Sequence, residues 1–317
     1  MLMQAGWFAL GAVLLLLGAD SLLRGAAGMA LALRVRPFLV GLVVLGLGTS
    51  LPELAVNLAA MRAGHAGIAL GNAVGSSIAN FGLVLGVAAL VAPFAVGLRL
   101  GVVLLPLVVA CTVILGLLGG DSVLTRFDAA VLLALGGVAL VLVLARAGRE
   151  SADVQRVFAA AAASRPGTGL ALFRIAVGVA LLGFGSLHAV HAATQLAGIW
   201  GWSDLRVGLT LVALGTLLPE LLTAALAARR GHGDLALGNV IGGSVANLTL
   251  VLGASALWGP IAVPRQLVEV ELPALALLAL ALYPMLRGDA QLSRREGAIL
   301  LLAYLAFFLW QAWLAAA

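Results

Sequence analysis

Ten apolar runs separated by short loops constrain this chain more than any other feature. They are Trp7–Leu33, Phe38–Met61, Ile68–Val91, Val102–Leu118 and Ala129–Leu144, then Leu170–Leu196, Val207–Ala228, Leu235–Leu257, Leu272–Leu286 and Ala298–Leu314. As helices, runs of this kind cross a hydrocarbon core about 30 Å thick. Backbone groups in lipid find no water, so each run is expected to be a helix that pairs its own N–H and C=O groups. With 63% hydrophobic residues, 10% charged residues and a mean hydropathy of +1.17, a soluble domain is excluded. The expected fold class is an all-α membrane protein with ten transmembrane helices.

The charge sits in the connections. The net charge of +5 comes entirely from arginine, since the chain has no lysine. Arg34, Arg36, Arg99, Arg146, Arg149, Arg156, Arg165, Arg229, Arg230, Arg287, Arg294 and Arg295 fall on one side of a ten-span topology, and Arg62, Arg126, Arg206 and Arg265 on the other. By the positive-inside rule the crowded side is cytoplasmic, which puts both termini outside a cell inner (plasma) membrane. Such charge faces loops and anionic lipid headgroups, so the expected partner is the bilayer and not nucleic acid. Met1 to Trp7 carry no positive charge and the apolar run continues past any cleavage point, so this segment is read as a retained first span and not a secretory signal. Cys111 is alone in an apolar run, which leaves neither a disulfide framework nor a cysteine metal site.

Inside this apolar background lies Leu47-Gly-Thr-Ser-Leu-Pro-Glu-Leu54, which places a carboxylate and a proline in the middle of an expected span. An ionisable group at that depth costs about 2.5 to 3.5 kcal/mol on insertion scales and is by default a functional-site hypothesis. Pro52 has no N–H to give, so carbonyls of the preceding turn, those of Gly48 and Thr49, need another partner. The device recurs as Leu214-Gly-Thr-Leu-Leu-Pro-Glu-Leu221. Aligning Leu45–Gly86 on Val212–Gly253 without a gap matches about 23 of 42 positions, which marks an internal repeat. Five spans per copy is an odd number, so the second copy enters the membrane inverted, and Glu53 and Glu220 can meet at mid-depth. The expected domains are a first five-helix repeat over 1–145, a polar cytoplasmic linker over 146–166, and a second, inverted repeat over 167–317.

The next span of each repeat opens with Gly71-Asn-Ala-Val-Gly-Ser-Ser-Ile-Ala-Asn80 or with Gly238-Asn-Val-Ile-Gly-Gly-Ser-Val-Ala-Asn247. Ser76 and Ser77 share a helical face with Asn80, as Ser244 does with Asn247. Carboxylate, carbonyl, hydroxyl and amide oxygens are hard ligands that suit Ca²⁺ or Na⁺. An intramembrane hydrolase would need a nucleophile with its base or a catalytic aspartate pair, and neither is convincing here, so no enzymatic activity is expected. A cation channel is the weaker transport reading, because channels usually build such rings by oligomer symmetry while both carboxylates here come from one chain. Asn72 and Asn239 read as structural, His65 and His232 as solvated loop residues, and Asp20 with Arg24 as a local pair. His188 and His191 are candidates for sensing pH.

These paired G-T-x-L-P-E and G-N-x-x-G segments, together with Leu17-Gly-Ala-Asp-Ser-Leu-Leu-Arg-Gly25, resemble the alpha-repeats of the calcium/cation antiporter superfamily, especially its compact prokaryotic sodium/calcium exchangers. The resemblance covers almost the whole chain. It implies two inverted five-helix repeats around a central four-helix ion-binding core, and alternating access driven by sliding of the first and sixth helices. It implies Glu53 and Glu220 as principal Ca²⁺ ligands with backbone oxygens of Thr49 and Thr216, and Ser50, Ser76, Asn80 and Asn247 completing or bordering the sodium and calcium positions. The implied activity is Ca²⁺ antiport against Na⁺, with no cofactor and a monomer as the expected state. Three positions depart from the family pattern: Leu217 and Gly243 where serine is usual, and Asn247 where many prokaryotic relatives have aspartate. Each removes an oxygen or a charge where sodium would sit. Coupling to H⁺, and a divalent ion such as Mn²⁺ in place of Ca²⁺, therefore stay open at this point.

Overall fold

A computed structural model describes residues 1–33, 48–96, 99–147, 156, 167–287 and 291–316. Most of the expected 146–166 linker lies outside them, as do residues 38–47 of the second apolar run and Arg34, Arg36, Arg149 and Arg165 from the orientation argument. The described chain is almost entirely helical. In order it runs α1 (Leu2–Ala32), a 3₁₀ turn Gly48–Ser50, α2 (Leu51–Arg62), α3 (Ala66–Val91), α4 (Arg99–Leu118) and α5 (Arg126–Ala147). There follow α6 (Thr168–Trp200), α7 (Asp204–Thr216), α8 (Leu218–Arg229), α9 (Gly233–Trp258), α10 (a π-helical turn Leu267–Glu271 continuing as Leu272–Arg287) and α11 (Arg294–Ala316). Among the described residues seven helices are long and apolar enough to cross a membrane, or eight if α7 and α8, bent by 50°, are one span.

Burial sorts these helices into an inner and an outer set. In α3 and α9 the most apolar stretch is 78% buried, against 22–33% in the other spanning helices, so α3 and α9 are the centre of the bundle. The outer helices keep large apolar side chains such as Phe127, Phe173 and Leu309 exposed, as a lipid-facing surface requires. The two longest helices, α1 and α6, lie against one another with their backbones nearly touching. A Cβ on Gly18 would stand 2.8 Å from Leu182 N, and one on Gly178 2.6 Å from Leu22 N. Small residues at such seams let membrane helices associate by close packing where no hydrophobic drive exists between them.

The proline of each carboxylate segment sits elsewhere than a mid-helix position. Pro52 occupies the first turn of α2, after the 3₁₀ turn Gly48–Ser50, and Pro219 the first turn of α8, after the break at Leu217. A residue without an N–H loses nothing there, because the first turn of a helix has no intrahelical acceptor for its amides. The helices thus restart at the proline, and Glu53 and Glu220 fall in their first turns. Gly64 (φ 82°) and Gly231 (φ 74°) then make the same sharp turn into α3 and α9, in a backbone region that side chains avoid.

Four two-residue strands were not expected from an all-α reading. β1 (Phe94–Ala95) pairs antiparallel with β4 (Gln291–Leu292), and β2 (Val123–Leu124) with β3 (Ile261–Ala262). Each ladder joins a loop of one half of the chain to a loop of the other. They are too short to leave a periodic signal in the sequence.

Candidate functional site

The starts of α2 and α8 cross over to the opposite half. Thr49 Oγ1 donates to Asn239 Oδ1 of α9 (3.1 Å), and Thr216 Oγ1 donates to Asn72 Oδ1 of α3 (3.2 Å). Ser50 Oγ reaches the carbonyl of Gly243 (3.4 Å), while Ser76 Oγ lies 3.3 Å from Asn72 Oδ1 and 3.5 Å from Thr216 Oγ1. Asn80 Nδ2 donates to Ser244 Oγ (3.4 Å). Eight side chains singled out in the sequence, those of Thr49, Ser50, Glu53, Ser76, Asn80, Thr216, Glu220 and Asn247, are therefore all buried, at 0–3% exposure, on the inner elements.

Glu53 and Glu220 are both fully buried, each in the first turn of its helix, α2 and α8. None of the four carboxyl oxygens accepts a hydrogen bond, and neither does Asn80 Oδ1 or Asn247 Oδ1. The threonine hydroxyls of both segments reach amide oxygens of the opposite half, Thr49 that of Asn239 and Thr216 that of Asn72. Asn247 Nδ2 is, among the described residues, the one unpartnered donor beside these acceptors, and an acceptor-rich cluster of this kind, sealed from water, is costly by several kcal/mol per charge unless a cation meets it. Its donors are oxygens of carboxylate, hydroxyl and amide, the set that suits hard cations. Among the described residues no three His, Cys, Asp or Glu side chains gather as a metal cluster.

Asn72 and Asn239, expected to be structural, stand at the heart of this network, and so does Asn57, which sequence reasoning passed over. Asn57 Nδ2 donates to Ala69 O (3.0 Å), and Asn72 Nδ2 donates to Asn57 Oδ1 (2.8 Å). A backbone carbonyl thus fixes which way two amides face, and Asn72 Oδ1 in turn accepts from the Thr216 hydroxyl. In the other half Asn239 Nδ2 donates to the backbone oxygen of Glu220 (3.4 Å). The matching polar residues at 57 and 72, fifteen apart on successive helices, were the available signal. Asn80 and Asn247 each open a π-helical turn, Asn80–Val84 and Asn247–Val251, a distortion found often at functional sites.

The helix face that carries Gly67, Gly71 and Gly75 brings α3 onto α7. A Cβ at Gly75 would stand 2.5 Å from Leu209 O, and one at Gly67 2.9 Å from Asp204 Cβ. At that end His65 Nδ1 lies 2.9 Å from Asp204 Oδ2, so His65 is no isolated loop residue but a tie between the halves. Asp20 and Arg24 form the expected local pair at 2.8 Å. His188 bonds the carbonyl of Phe184 (2.8 Å) and stacks near Trp7, away from the carboxylates.

A multi-pass membrane helix bundle that buries two carboxylates from a duplicated segment, with hard oxygen ligands around them, defines a cation transporter. The model of the family described as "Sodium/calcium exchanger protein" matches twice, over residues 3–145 and 170–313, and the chain belongs to that family. CaxA of Alkalimonas amylolytica is 35% identical over 316 residues, covering 97% of this chain and 98% of CaxA. The sodium/calcium exchanger MaX1 of Methanosarcina acetivorans is 30% identical, covering 94% of this chain and 95% of MaX1. The fold is similar to that of the sodium–calcium exchanger NCX_Mj, with a TM-score of 0.67 at 30% identity over 96% of this chain and 97% of that one. The protein is a membrane cation antiporter and not an enzyme.

Proposed function

We propose that this protein moves Ca²⁺ across the membrane in exchange for Na⁺, by alternating access around a site built by Glu53 and Glu220. The observation that carries the reading is the set of four buried carboxyl oxygens that accept no hydrogen bond and are ringed by hydroxyl and amide oxygens. Two carboxylates carry −2, which one Ca²⁺ neutralises. In this reading Thr49 and Thr216 give backbone oxygens, and Ser50, Ser76, Asn80 and Asn247 complete or border the cation positions. Ten helices in two inverted repeats, 1–145 and 167–317 about a cytoplasmic 146–166 linker, would place α2, α3, α8 and α9 as the four-helix core of a monomer. The crowded arginines then face the cytoplasm, with both termini outside the plasma membrane.

A second reading, H⁺ in place of Na⁺, is favoured by a specific departure. Position 217 carries a fully buried leucine, position 243 a glycine whose Cβ would face Asn80 Nδ2 (3.4 Å), Ser50 Oγ (3.7 Å) and Thr49 Oγ1 (3.9 Å), and position 247 a neutral amide. The second half of the site thus offers fewer oxygens to sodium. Purified protein in liposomes loaded with radiolabelled Ca²⁺ separates the two. With voltage clamped, efflux driven by a Na⁺ gradient and not by a pH gradient supports sodium coupling; efflux driven only by pH replaces it with proton coupling, and efflux under neither overturns both.

A further inference from the structure

A second buried carboxylate lies apart from the site described above. Glu271, which closes the π-helical turn of α10, is 0% exposed, and Gln311, near the end of α11, is 1% exposed. Gln266 Nε2 (2.7 Å) and Gln311 Nε2 (2.6 Å) both donate to the same oxygen, Glu271 Oε1. The other carboxyl oxygen, Oε2, and the amide oxygen of Gln311 accept nothing. Two acceptor oxygens on two bonded, buried side chains thus go without a donor, and the carboxylate lacks the positive group that its burial demands. The cation next in sequence, Arg265, is exposed and pairs with Glu269 at 2.5 Å. Gln266 also lines a surface cavity of about 440 Å³ with Ser203, Asp204 and Arg206, so Glu271 lies one side chain behind a solvent-facing recess.

We propose that Glu271 and Gln311 form a second cation site that holds a single monovalent positive charge, delivered as H⁺ or as Na⁺ through the recess at Gln266. One carboxylate neutralises one such charge, whereas a divalent ion would leave a buried excess of +1. Either occupant answers the two idle oxygens: a proton bridges Glu271 Oε2 to Gln311 Oε1, and Na⁺, a hard cation, coordinates both. In doing so it joins the start of α10 to the end of α11. The charged groups on its own element and at the recess are the Arg265–Glu269 pair, and Asp204 and Arg206 with His65.

The test uses the purified full chain with the first site silenced by Glu53→Gln and Glu220→Gln, so that its outcome is independent of the proposed exchange. Thermal unfolding is followed against Na⁺ at fixed pH, and against pH without Na⁺. A cation bound only in the folded state raises the melting temperature as its concentration rises. Adding Glu271→Gln, which keeps size and the amide contacts, is expected to abolish the response to Na⁺ if sodium is the occupant, or the added stability at low pH if it is the proton. Superimposable curves with and without Glu271→Gln, in both titrations, overturn the site. Should that variant fail to fold, Gln311→Met keeps the carboxylate and removes both the idle amide oxygen and the Nε2 donor to Glu271 Oε1. It is expected to raise the half-saturating concentration about ten-fold; an unchanged value overturns the site as well.

Discussion

In the first half of the exchange site Asn57 takes the amide of Asn72, while in the second half Ala224 stands at the matching position and Asn239 turns to the backbone of Glu220. Ser50 is likewise matched by Leu217, and Ser76 by Gly243. The glutamate, threonine and proline are kept in both halves, but the first half surrounds them with side-chain polar groups and the second with apolar packing and backbone. A duplicated segment can thus keep its charge while its two copies diverge in how firmly they aim it. The charge belongs to both copies, the supporting side-chain oxygens mostly to one.

The largest expected effect treats the halves alike. Glu53→Gln or Glu220→Gln, each alone, is expected to abolish Ca²⁺ exchange in liposomes while the helical circular dichroism stays unchanged; exchange retained in either would remove the shared carboxylate pair from the mechanism. Next, Gly75→Ala should destabilise the protein by about 1–3 kcal/mol, read as a lower melting temperature, because its Cβ would stand 2.5 Å from Leu209 O and two backbones must part. Asn57→Ala leaves Asn72 Nδ2 buried without its partner, at about 1–3 kcal/mol. It should weaken Ca²⁺ binding about ten-fold by calorimetry. An unchanged affinity would mean that the amide relay does not aim Thr216. The double change Leu217→Ser with Asn247→Asp gives the second half a hydroxyl like that of Ser50 and a carboxylate where the first half has Asn80, and should increase sodium dependence of efflux; no shift in ion preference would make those positions silent. His65→Ala, which breaks a pair exposed by about a third, should cost no more than about 1 kcal/mol.

Much of this architecture was legible in the residues. Apolar run length announced membrane helices, and a carboxylate beside a proline, repeated with its neighbours, pointed to the two glutamates that the fold buries completely. What the sequence could not show depends on register between helices. Asn57 and Asn72 are bonded only because the turn at Gly64 sets α3 against α2 at one particular height. Pro52 read as a mid-helix defect, since nothing in composition reveals that a 3₁₀ turn precedes it and the helix begins anew there. Glu271 and Gln311, forty residues apart on helices that drift along the outer bundle, carried no shared motif at all.

The two strand pairs have a consequence for the order in which the chain is made. β1 emerges from the ribosome long before β4, and β2 before β3, so the loops of the first half must wait, unpaired, until nearly the whole second half has been synthesised. Cotranslational insertion can thread the first helices into the bilayer, but it cannot close their loops. A nascent first half is a set of inserted helices and not a finished unit, and the last loop to leave the ribosome, at Gln291–Leu292, is the one that completes it.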